Sequence, residues 1–319
     1  MAQILSNFYL LAGRYNKEKQ QVDCNDQGAL FSTAQVDVDL SLTLRSHVDP
    51  QQLNQLLPVD LAAVDGPTHP ILAVQINRFL CGGLAIAACV SHRVVDTASF
   101  SLFFTAWATT AHTTGKLLIQ PYFDHRSSYF PAENLPPHDD GPHENIITER
   151  YIFDNKAIKK LCQRLTSFLV IAAEDTAADA EGENFLALAS RIRHATVQGV
   201  RDCARVLRDK EFGQKLLVDN FLNANKKAKT DDCKMIWLAD FSKFGDYELD
   251  FGFGKSDWIS LPTPTMVLEL KDHIMMLNNI SNDGIEAWVF LQESDMQFFR
   301  QDKEILLLSA SNLSVFSRI

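Results

Sequence analysis

The sequence has few cysteines, no long apolar run and no excess of basic residues. Its 319 residues include 6 cysteines and no C-x-x-C pair, so neither a disulfide scaffold nor a structural metal site is expected. The longest nearly apolar run covers 79–90, whereas a membrane-spanning helix needs about 20 residues. We therefore expect free thiols, no bound metal and no membrane span.

The charge balance excludes two further classes of partner. Asp and Glu number 40 against 30 Lys and Arg, which gives a formal net charge of -10 and a pI near 5.4. Binding to nucleic acid or to anionic lipid needs a basic surface, so neither partner is expected. The N-terminus lacks the basic and apolar segments of a secretory signal, which predicts a cytosolic protein.

Composition and patterning predict an α/β protein with a mixed sheet. Hydrophobic residues make up 46% of the chain, enough for one large domain or two ordinary ones. Alternating apolar residues predict a strand at 31–44, and the Cys81-Gly82-Gly83 break predicts a hairpin. Strands are also predicted at 148–153, 234–239, 247–251, 264–271 and 284–290. Helices are predicted after Asp96 (apolar stripe Phe100, Phe103, Phe104 and Trp107), from Asp154, at 184–210 and at 293–307.

His92 is the strongest candidate for a catalytic side chain. It stands four residues before Asp96, where a buried strand is predicted to end and a helix to begin. Proteins of the α/β class commonly place reactive groups where strands end at a cleft. The H-x-x-x-D spacing alone arises by chance in a chain of this composition. A hydrogen-bonded histidine with no chemical role therefore stays open as an alternative.

A second motif runs from Asp250 to Lys255 and reads DFGFGK. Two glycines separated by one aromatic residue predict a tight backbone turn. The motif lacks the third glycine of a dinucleotide-binding loop, and no other kinase motif accompanies the D-F-G triplet. A structural turn is therefore the simplest interpretation.

Considered together, the two motifs resemble those of the BAHD family of plant acyl-CoA-dependent acyltransferases. That family carries H-x-x-x-D in mid-chain and D-F-G-W-G near the C-terminus. The similarity is greatest to its alkaloid O-acetyltransferases. Flanking segments also match in family order: LLAGRYN, VDCNDQGALF, CGGLAIAACVSHRVVD, ERYIFDNKAIKKL, YELDFGFGK and DGIEAW.

The resemblance implies a two-domain fold like that of chloramphenicol acetyltransferase. An N-terminal domain at 1–165 would carry His92, and a C-terminal domain at 166–319 would carry the glycine turn. The implied activity is O-acyl transfer from acyl-CoA, with acetyl-CoA as co-substrate and no permanently bound cofactor. The implied acceptor is a hydroxyl group of an alkaloid or related plant metabolite, and the family default is a cytoplasmic monomer.

The resemblance also implies a role for each motif residue. His92 would be the general base that takes the proton of the acceptor hydroxyl. Asp96 would point away from the cleft and pair with an arginine. Asp250, Gly252 and Gly254 would form a structural turn away from the reaction. No residue is assigned to CoA.

The sequence departs from the family pattern at several points. The helix from Asp154 runs at Thr166-Ser167 straight into another apolar run, where the family has a long segment that holds the arginine and part of the CoA surface. The N-terminal strand and helix of the family have no counterpart, a family Ser-Trp pair is absent at 238–243, and Phe253 replaces the motif tryptophan. A catalytically inactive truncated paralogue or gene-model fragment is therefore a second hypothesis. A hydrolase that uses His92 is a third, although the chain has no G-x-S-x-G nucleophile motif.

Overall fold

The computed structural model describes residues 1–19, 21–43, 50–59, 69–112, 146–164, 236–261 and 271–309, with isolated positions between 121 and 226. None of the helices in these segments is long and apolar enough to cross a bilayer. The strands are β1 (Arg14–Asn16), β2 (Gln21–Asp23), β3 (Leu30–Val36), β4 (Leu72–Phe79), β5 (Leu84–Val90), β6 (Ile146–Phe153), β7 (Trp237–Asp240), β8 (His273–Asn278) and β9 (Ile285–Gln292). The helices are α1 (Ala2–Leu5), α2 (Leu40–Thr43), α3 (Pro50–Asn54), α4 (Thr97–His112), α5 (Asn155–Arg164), α6 (Glu293–Gln301) and α7 (Lys303–Leu308).

Strands β3, β4 and β5 form a three-stranded mixed sheet. β3 pairs parallel with β4, and β4 pairs antiparallel with β5, which confirms the predicted hairpin. Gly82 in the connecting turn has φ +84°, a left-handed conformation that glycine adopts without strain. The strand predicted at 31–44 is correct only to Val36. The N–H of Leu42 donates to the carbonyl of Asp39 and closes a helical turn, so the alternating leucines do not extend the strand.

Strands β6, β9, β8 and β7, in this order, form a second mixed sheet. β6 and β8 pair antiparallel with β9, and β7 pairs parallel with β8. β6 precedes the predicted domain boundary at 165/166 but lies in the sheet of the C-terminal strands. The boundary itself lies outside the described residues, so the division into 1–165 and 166–319 stays a prediction.

Several sequence predictions for the second half differ from the structure. The strand predicted at 247–251 is wrong, because Asp246–Glu248 forms a 3-10 turn in which the N–H of Glu248 donates to the carbonyl of Gly245. β8 is not predicted by the sequence patterns, and the helix predicted at 293–307 breaks at Asp302 into α6 and α7. The apolar run after Ser167, most of the helix predicted at 184–210 and nearly all of the strand predicted at 264–271 lie outside the described residues.

Helix α4 packs on one face of the first sheet. Phe103 and Trp107 from the predicted stripe contact a core that includes Leu72, Val74 and Val95, all of them buried. Complete burial of an apolar side chain of this size stabilises the fold by about 1.5–3 kcal/mol. The core therefore fixes α4, and the loop that precedes it, against the sheet.

Each face of the second sheet has its own core. On one face, Val289 and Leu291 of β9 pack with Met296 of α6. On the other face, Trp288 and Phe290 of β9 pack with Leu53 of α3, together with partly buried residues from other segments. Helix α3, from the first half of the chain, therefore contributes to the core of the C-terminal strands.

The segment that follows α3 is also bound to the first sheet. The side-chain amides of Gln75 and Asn77 on β4 donate to the carbonyl of Leu56, at 3.2 and 2.9 Å. Leu56 is itself partly buried against the core that contains Leu53. Residues 53–56 thus connect the two sheets.

Candidate active site

The loop 91–96 presents His92 at the surface. The N–H of buried Ser91 donates to the carbonyl of Ile71 at 2.9 Å, so the loop starts from a fixed residue. The N–H of Val95 then donates to the carbonyl of Ser91 at 3.1 Å, and the Val95 side chain enters the core. His92 is exposed on this tight turn. It lies where the sequence predicts it, between the end of β5 and the start of α4.

Asp96 caps the N-terminus of α4. Its Oδ1 accepts a hydrogen bond from the N–H of Ser99 at 2.7 Å, which satisfies one of the free donors of the first turn. The side chain of Ser99 lowers the pKa of the Asp96 carboxyl most, partial burial opposes the change, and the backbone hydrogen bond from Ser99 lowers the pKa further. The carboxylate is exposed and hydrogen-bonded, so its charge stays solvated and does not destabilise the fold.

The glycine turn at 250–254 is organised by its aspartate. Oδ1 of Asp250 accepts hydrogen bonds from the N–H groups of Gly252 and Gly254, at 2.7 and 3.1 Å. Both glycines have left-handed backbones, with φ +100° and +107°. The hydrogen bond from Gly252 lowers the pKa of Asp250, and the one from Gly254 adds to it. The two glycines predict a tight turn, and the backbone has that form.

Helix α4 contacts both motifs but keeps them apart. The ring of Phe251 packs edge-on against Trp107, with centroids 4.9 Å apart, and against Phe104 at 6.4 Å. Trp107 lies roughly 16 Å along the helix axis from Asp96, at 1.5 Å per residue. The glycine turn is therefore attached to the second half of α4, away from the end that carries His92.

A small crevice lies between the segment 241–247, Ile259 and the end of β8. Its volume is about 10 Å³, room for about one water molecule. Ser101 of α4 donates its hydroxyl hydrogen to Oδ1 of Asp246 at 3.0 Å, and burial raises the pKa of this carboxyl. Burial also raises the pKa of the Tyr247 hydroxyl. The residues that line the crevice include Phe241, Asp246, Tyr247, Ile259, Leu277 and Asn278.

No sequence motif marks this crevice. Its contact between Ser101 and Asp246 joins residues 145 positions apart, and the lining comes from three separate segments. The only local feature is a carboxylate between a glycine and a tyrosine, in a stretch whose pattern predicts a strand. In the part of the chain that the structure describes, no group of three or more His, Cys, Asp or Glu side chains could hold a metal ion.

Comparison with known families decides the identity of the chain. The model of the family described as "Transferase family" matches residues 1–181 and 167–306, which together span most of the sequence. The chain belongs to the BAHD acyltransferases. The prediction from the two motifs is confirmed, and the protein is an enzyme of the acyltransferase class.

Similar proteins carry out several acyl transfers, as their names state. A pelargonidin glucoside malonyltransferase of Salvia splendens is 28% identical, over 96% of this chain and 86% of that protein. Stemmadenine O-acetyltransferase of Catharanthus roseus is 28% identical, over 95% and 82%. Vinorine synthase of Rauvolfia serpentina is 27% identical, over 98% and 84%. This BAHD acyltransferase is thus similar to acetyltransferases and to a malonyltransferase.

Solved structures share the fold. The crystal structure of vinorine synthase matches with a TM-score of 0.71 and 23% identity, over 97% of this chain and 83% of that chain. TRI101 of F. sporotrichioides, complexed with coenzyme A and T-2, matches with a TM-score of 0.60 and 15% identity, over 98% and 89%. The predicted α/β fold with mixed sheets is confirmed.

Proposed function

We propose that this BAHD acyltransferase moves an acetyl group from acetyl-CoA to a hydroxyl group of an alkaloid or related plant specialised metabolite, with His92 as the general base. The observation that carries the proposal is the exposed position of His92 on a loop that is fixed at both ends. Similarity to stemmadenine O-acetyltransferase supports the acetyl donor and the alkaloid acceptor. Because the chain is also similar to a malonyltransferase, malonyl-CoA is the acyl donor to compare with acetyl-CoA.

The support of His92 suits a general base. On one side, the backbone of Ser91 is hydrogen-bonded to the sheet, and on the other side Asp96 ties the loop to α4. A base must lie within hydrogen-bond reach of the hydroxyl that it deprotonates, and a rigid loop keeps that geometry at little entropic cost. Exposure of His92 leaves its ring accessible to an acceptor.

The proposed reaction needs no covalent acyl-enzyme. The His92 imidazole takes the hydroxyl proton as the acceptor oxygen attacks the thioester carbonyl, and the carbonyl electrons move to its oxygen. The tetrahedral oxyanion then collapses, the C–S bond breaks, and the CoA thiolate leaves and takes the proton from the imidazolium. The products are the ester and free CoA, and the imidazole is neutral again.

Asp250, Gly252 and Gly254 have a structural role in this proposal. Their turn holds Phe251 against Trp107 in the second half of α4, which supports a structural role. Asp96 acts as a positioning residue through the helix cap. The enzyme is proposed to act as a cytoplasmic monomer on small-molecule substrates, with acyl-CoA as the only coenzyme.

Replacement of His92 tests the proposal. We expect His92→Ala to lower the rate of CoA release from acetyl-CoA plus acceptor alcohol by about 10²–10⁴, the usual contribution of a general base. His112→Ala, at the exposed end of α4, is the matched control and should keep the rate within a few-fold. An unchanged rate in His92→Ala, with both variants folded by circular dichroism, would exclude His92 as the base.

A catalytically inactive family member is the second candidate. The alignment with the malonyltransferase runs over 369 positions, more than the 319 residues of this chain, so the relative has internal residues with no counterpart here. A folded wild-type chain that releases no CoA with any alcohol and does not bind acetyl-CoA would favour this candidate.

A further inference from the structure

We propose that Asp246 is a positioning residue for the acyl transfer, because its hydrogen bond with Ser101 fixes α4 and the His92 loop against the C-terminal half of the chain. The inference rests on the proposed function, since it names a further residue on which the alignment of His92 depends. Oδ1 of Asp246 accepts the hydroxyl hydrogen of Ser101 at 3.0 Å. Neither residue belongs to one of the two motifs.

On one side, this hydrogen bond reaches the helix that carries the His92 loop. Ser101 follows Asp96 by five residues, which is about 8 Å along the axis of α4. Asp96 accepts a hydrogen bond from the N–H of Ser99 at 2.7 Å, and the side chain of Val95 lies in the core of the first sheet. The loop and the first turn of α4 therefore form one unit, and a shift of that turn also shifts His92.

On the other side, the hydrogen bond reaches a turn that is attached to the second sheet. The N–H of Phe241 donates to the carbonyl of Met276 on β8 at 2.8 Å. Tyr247, which follows Asp246, is buried, and its hydroxyl accepts a hydrogen bond from the N–H of Ile259 at 3.3 Å. The hydrogen bond thus joins two parts of the molecule, each of which is held by its own sheet.

The other contacts between α4 and this segment lie further along the helix. Phe251 packs against Trp107, with centroids 4.9 Å apart. Nδ1 of His112, at the exposed end of α4, lies 3.9 Å from Oδ1 of Asp250, which is too far for a hydrogen bond. Apolar packing is non-directional, whereas a hydrogen bond weakens steeply when its geometry changes. The hydrogen bond of Ser101 is therefore the contact that gives the first half of α4 a defined position.

Stability does not account for the carboxylate at this place. Burial raises the pKa of Asp246, and this effect outweighs the hydrogen bond from Ser101, which lowers the pKa. The folded chain therefore ionises this carboxyl at a free-energy cost that the unfolded chain does not carry. Proteins retain such groups where function requires them. The directional hydrogen bond to α4 is what the carboxylate provides.

Alignment matters to the proposed reaction, because His92 must reach the acceptor hydroxyl while the thioester carbonyl lies within attack distance. A misplacement of about 1 Å can lower the rate about 100-fold. The hydrogen bond between Ser101 and Asp246 holds the two halves of the chain together about 8 Å from the His92 loop. Its loss would let the base move relative to a substrate that the C-terminal half holds.

Steady-state kinetics of paired variants tests the proposal. We expect Asp246→Ala and Ser101→Ala each to lower kcat about tenfold or more, with the KM for acetyl-CoA within about threefold of wild type. Because both remove the same hydrogen bond, the double variant should be no slower than either single variant. Ser101→Thr keeps the hydroxyl and Asp246→Asn keeps an acceptor oxygen, so both should recover most of kcat. Asp257→Ala, at an exposed aspartate of the same segment, is the control.

Hydrogen exchange of the full chain tests the positioning without catalysis. Asp246→Ala and Ser101→Ala should speed the exchange of the amides at 92–99 about threefold or more, and Ser101→Thr and Asp257→Ala should not. Alanine is the best helix former, so Ser101→Ala keeps the test available if Asp246→Ala does not fold.

Three results would overturn the proposal. They are losses of kcat that multiply in the double variant, equal losses in Asp246→Ala and Asp246→Asn, and unchanged exchange at 92–99. A wild-type chain without acyl transfer would contradict the proposed function, and hydrogen exchange would then decide the role of Asp246 by itself. Acyl transfer that depends on His92 but not on Asp246 would retain the proposed function and reject this inference.

Discussion

Two carboxylates beside α4 have opposite electrostatic environments. Asp96 at the N-terminus is hydrogen-bonded to the side chain and the backbone N–H of Ser99, and both lower its pKa. Asp246 lies half-buried in the crevice, and burial raises its pKa. The first carboxylate stabilises the loop that holds His92. The second is costly to ionise, because burial removes hydration that the single hydrogen bond from Ser101 only partly replaces.

The contribution of the Asp96 helix cap can be measured as a change in the free energy of unfolding. We expect Asp96→Ala to lower the free energy of unfolding by about 1 kcal/mol, because an N–H of the first turn loses its acceptor. Asp96→Asn should cost little, since asparagine caps helices equally well. Urea denaturation compares the variants. Equal loss in both would show that the charge, and not the hydrogen bond, is what matters.

The pH dependence of stability should separate the two carboxylates. The pKa of Asp96 is lowered in the folded chain. Its contribution to the free energy of unfolding is therefore fully present at a pH above the ordinary carboxyl pKa of 3.8, and it is lost as the pH falls through the lower folded pKa. The pKa of Asp246 is raised in the folded chain. Its contribution to the free energy of unfolding is therefore fully present at a pH below the ordinary carboxyl pKa, and it is lost as the pH rises through the higher folded pKa.

Urea midpoints at about pH 7 and about pH 3 test these signs. Relative to wild type, Asp96→Ala should be less stable at the higher pH, and the difference should shrink at the lower one. Asp246→Asn should gain stability over wild type at the higher pH only. A gain at the lower pH, or none at either, would contradict the burial argument for Asp246.

At the scale of elements, α4 is the support that both motifs share. Its N-terminus is capped by Asp96, and its second half packs against Phe251 of the glycine turn. The turn contains a second phenylalanine, Phe253, which is 63% exposed. Substitution of Phe251 therefore tests the packing against α4, and substitution of Phe253 in the same motif is the control.

We expect Phe251→Ala to lower the free energy of unfolding by about 2 kcal/mol, less than for a fully buried phenylalanine because Phe251 is partly exposed. Phe253→Ala should change it by less than about 0.5 kcal/mol. Thermal or urea unfolding measures both. Acyl transfer per folded molecule should be unchanged in each variant, and a large fall in kcat would contradict a purely structural turn.

The elements that could be predicted are those with local signals. The hairpin follows from paired glycines between two apolar runs, and α4 follows from four aromatic residues on one helical stripe. The turn at 246–248 could not be predicted, because its apolar alternation is that of a strand. Gly245, with a left-handed backbone of φ +75°, precedes the turn.

At the scale of the whole molecule, the sheets depend on contacts between distant residues. β6 pairs with β9, although more than a third of the chain lies between them, and no local pattern specifies that choice. The same limit applies to the site. The location of His92 and Asp96 between β5 and α4 could be predicted, because one short motif holds both; their roles stay predictions. Asp246 could not, because only the folded chain brings it to Ser101.

Binding of the acyl-CoA donor is the step of the proposed reaction with the least support from the sequence. The chain has the family fold, but it lacks internal residues that its relatives have, and no residue is assigned to CoA. Acyl transfer from a thioester requires that the donor bind to the enzyme. The most direct measurement is therefore a calorimetric titration of the purified full chain with acetyl-CoA. We expect saturable binding of one acetyl-CoA per chain, and we expect free CoA to compete for the same site. A chain that is folded by circular dichroism and shows no binding would contradict this expectation.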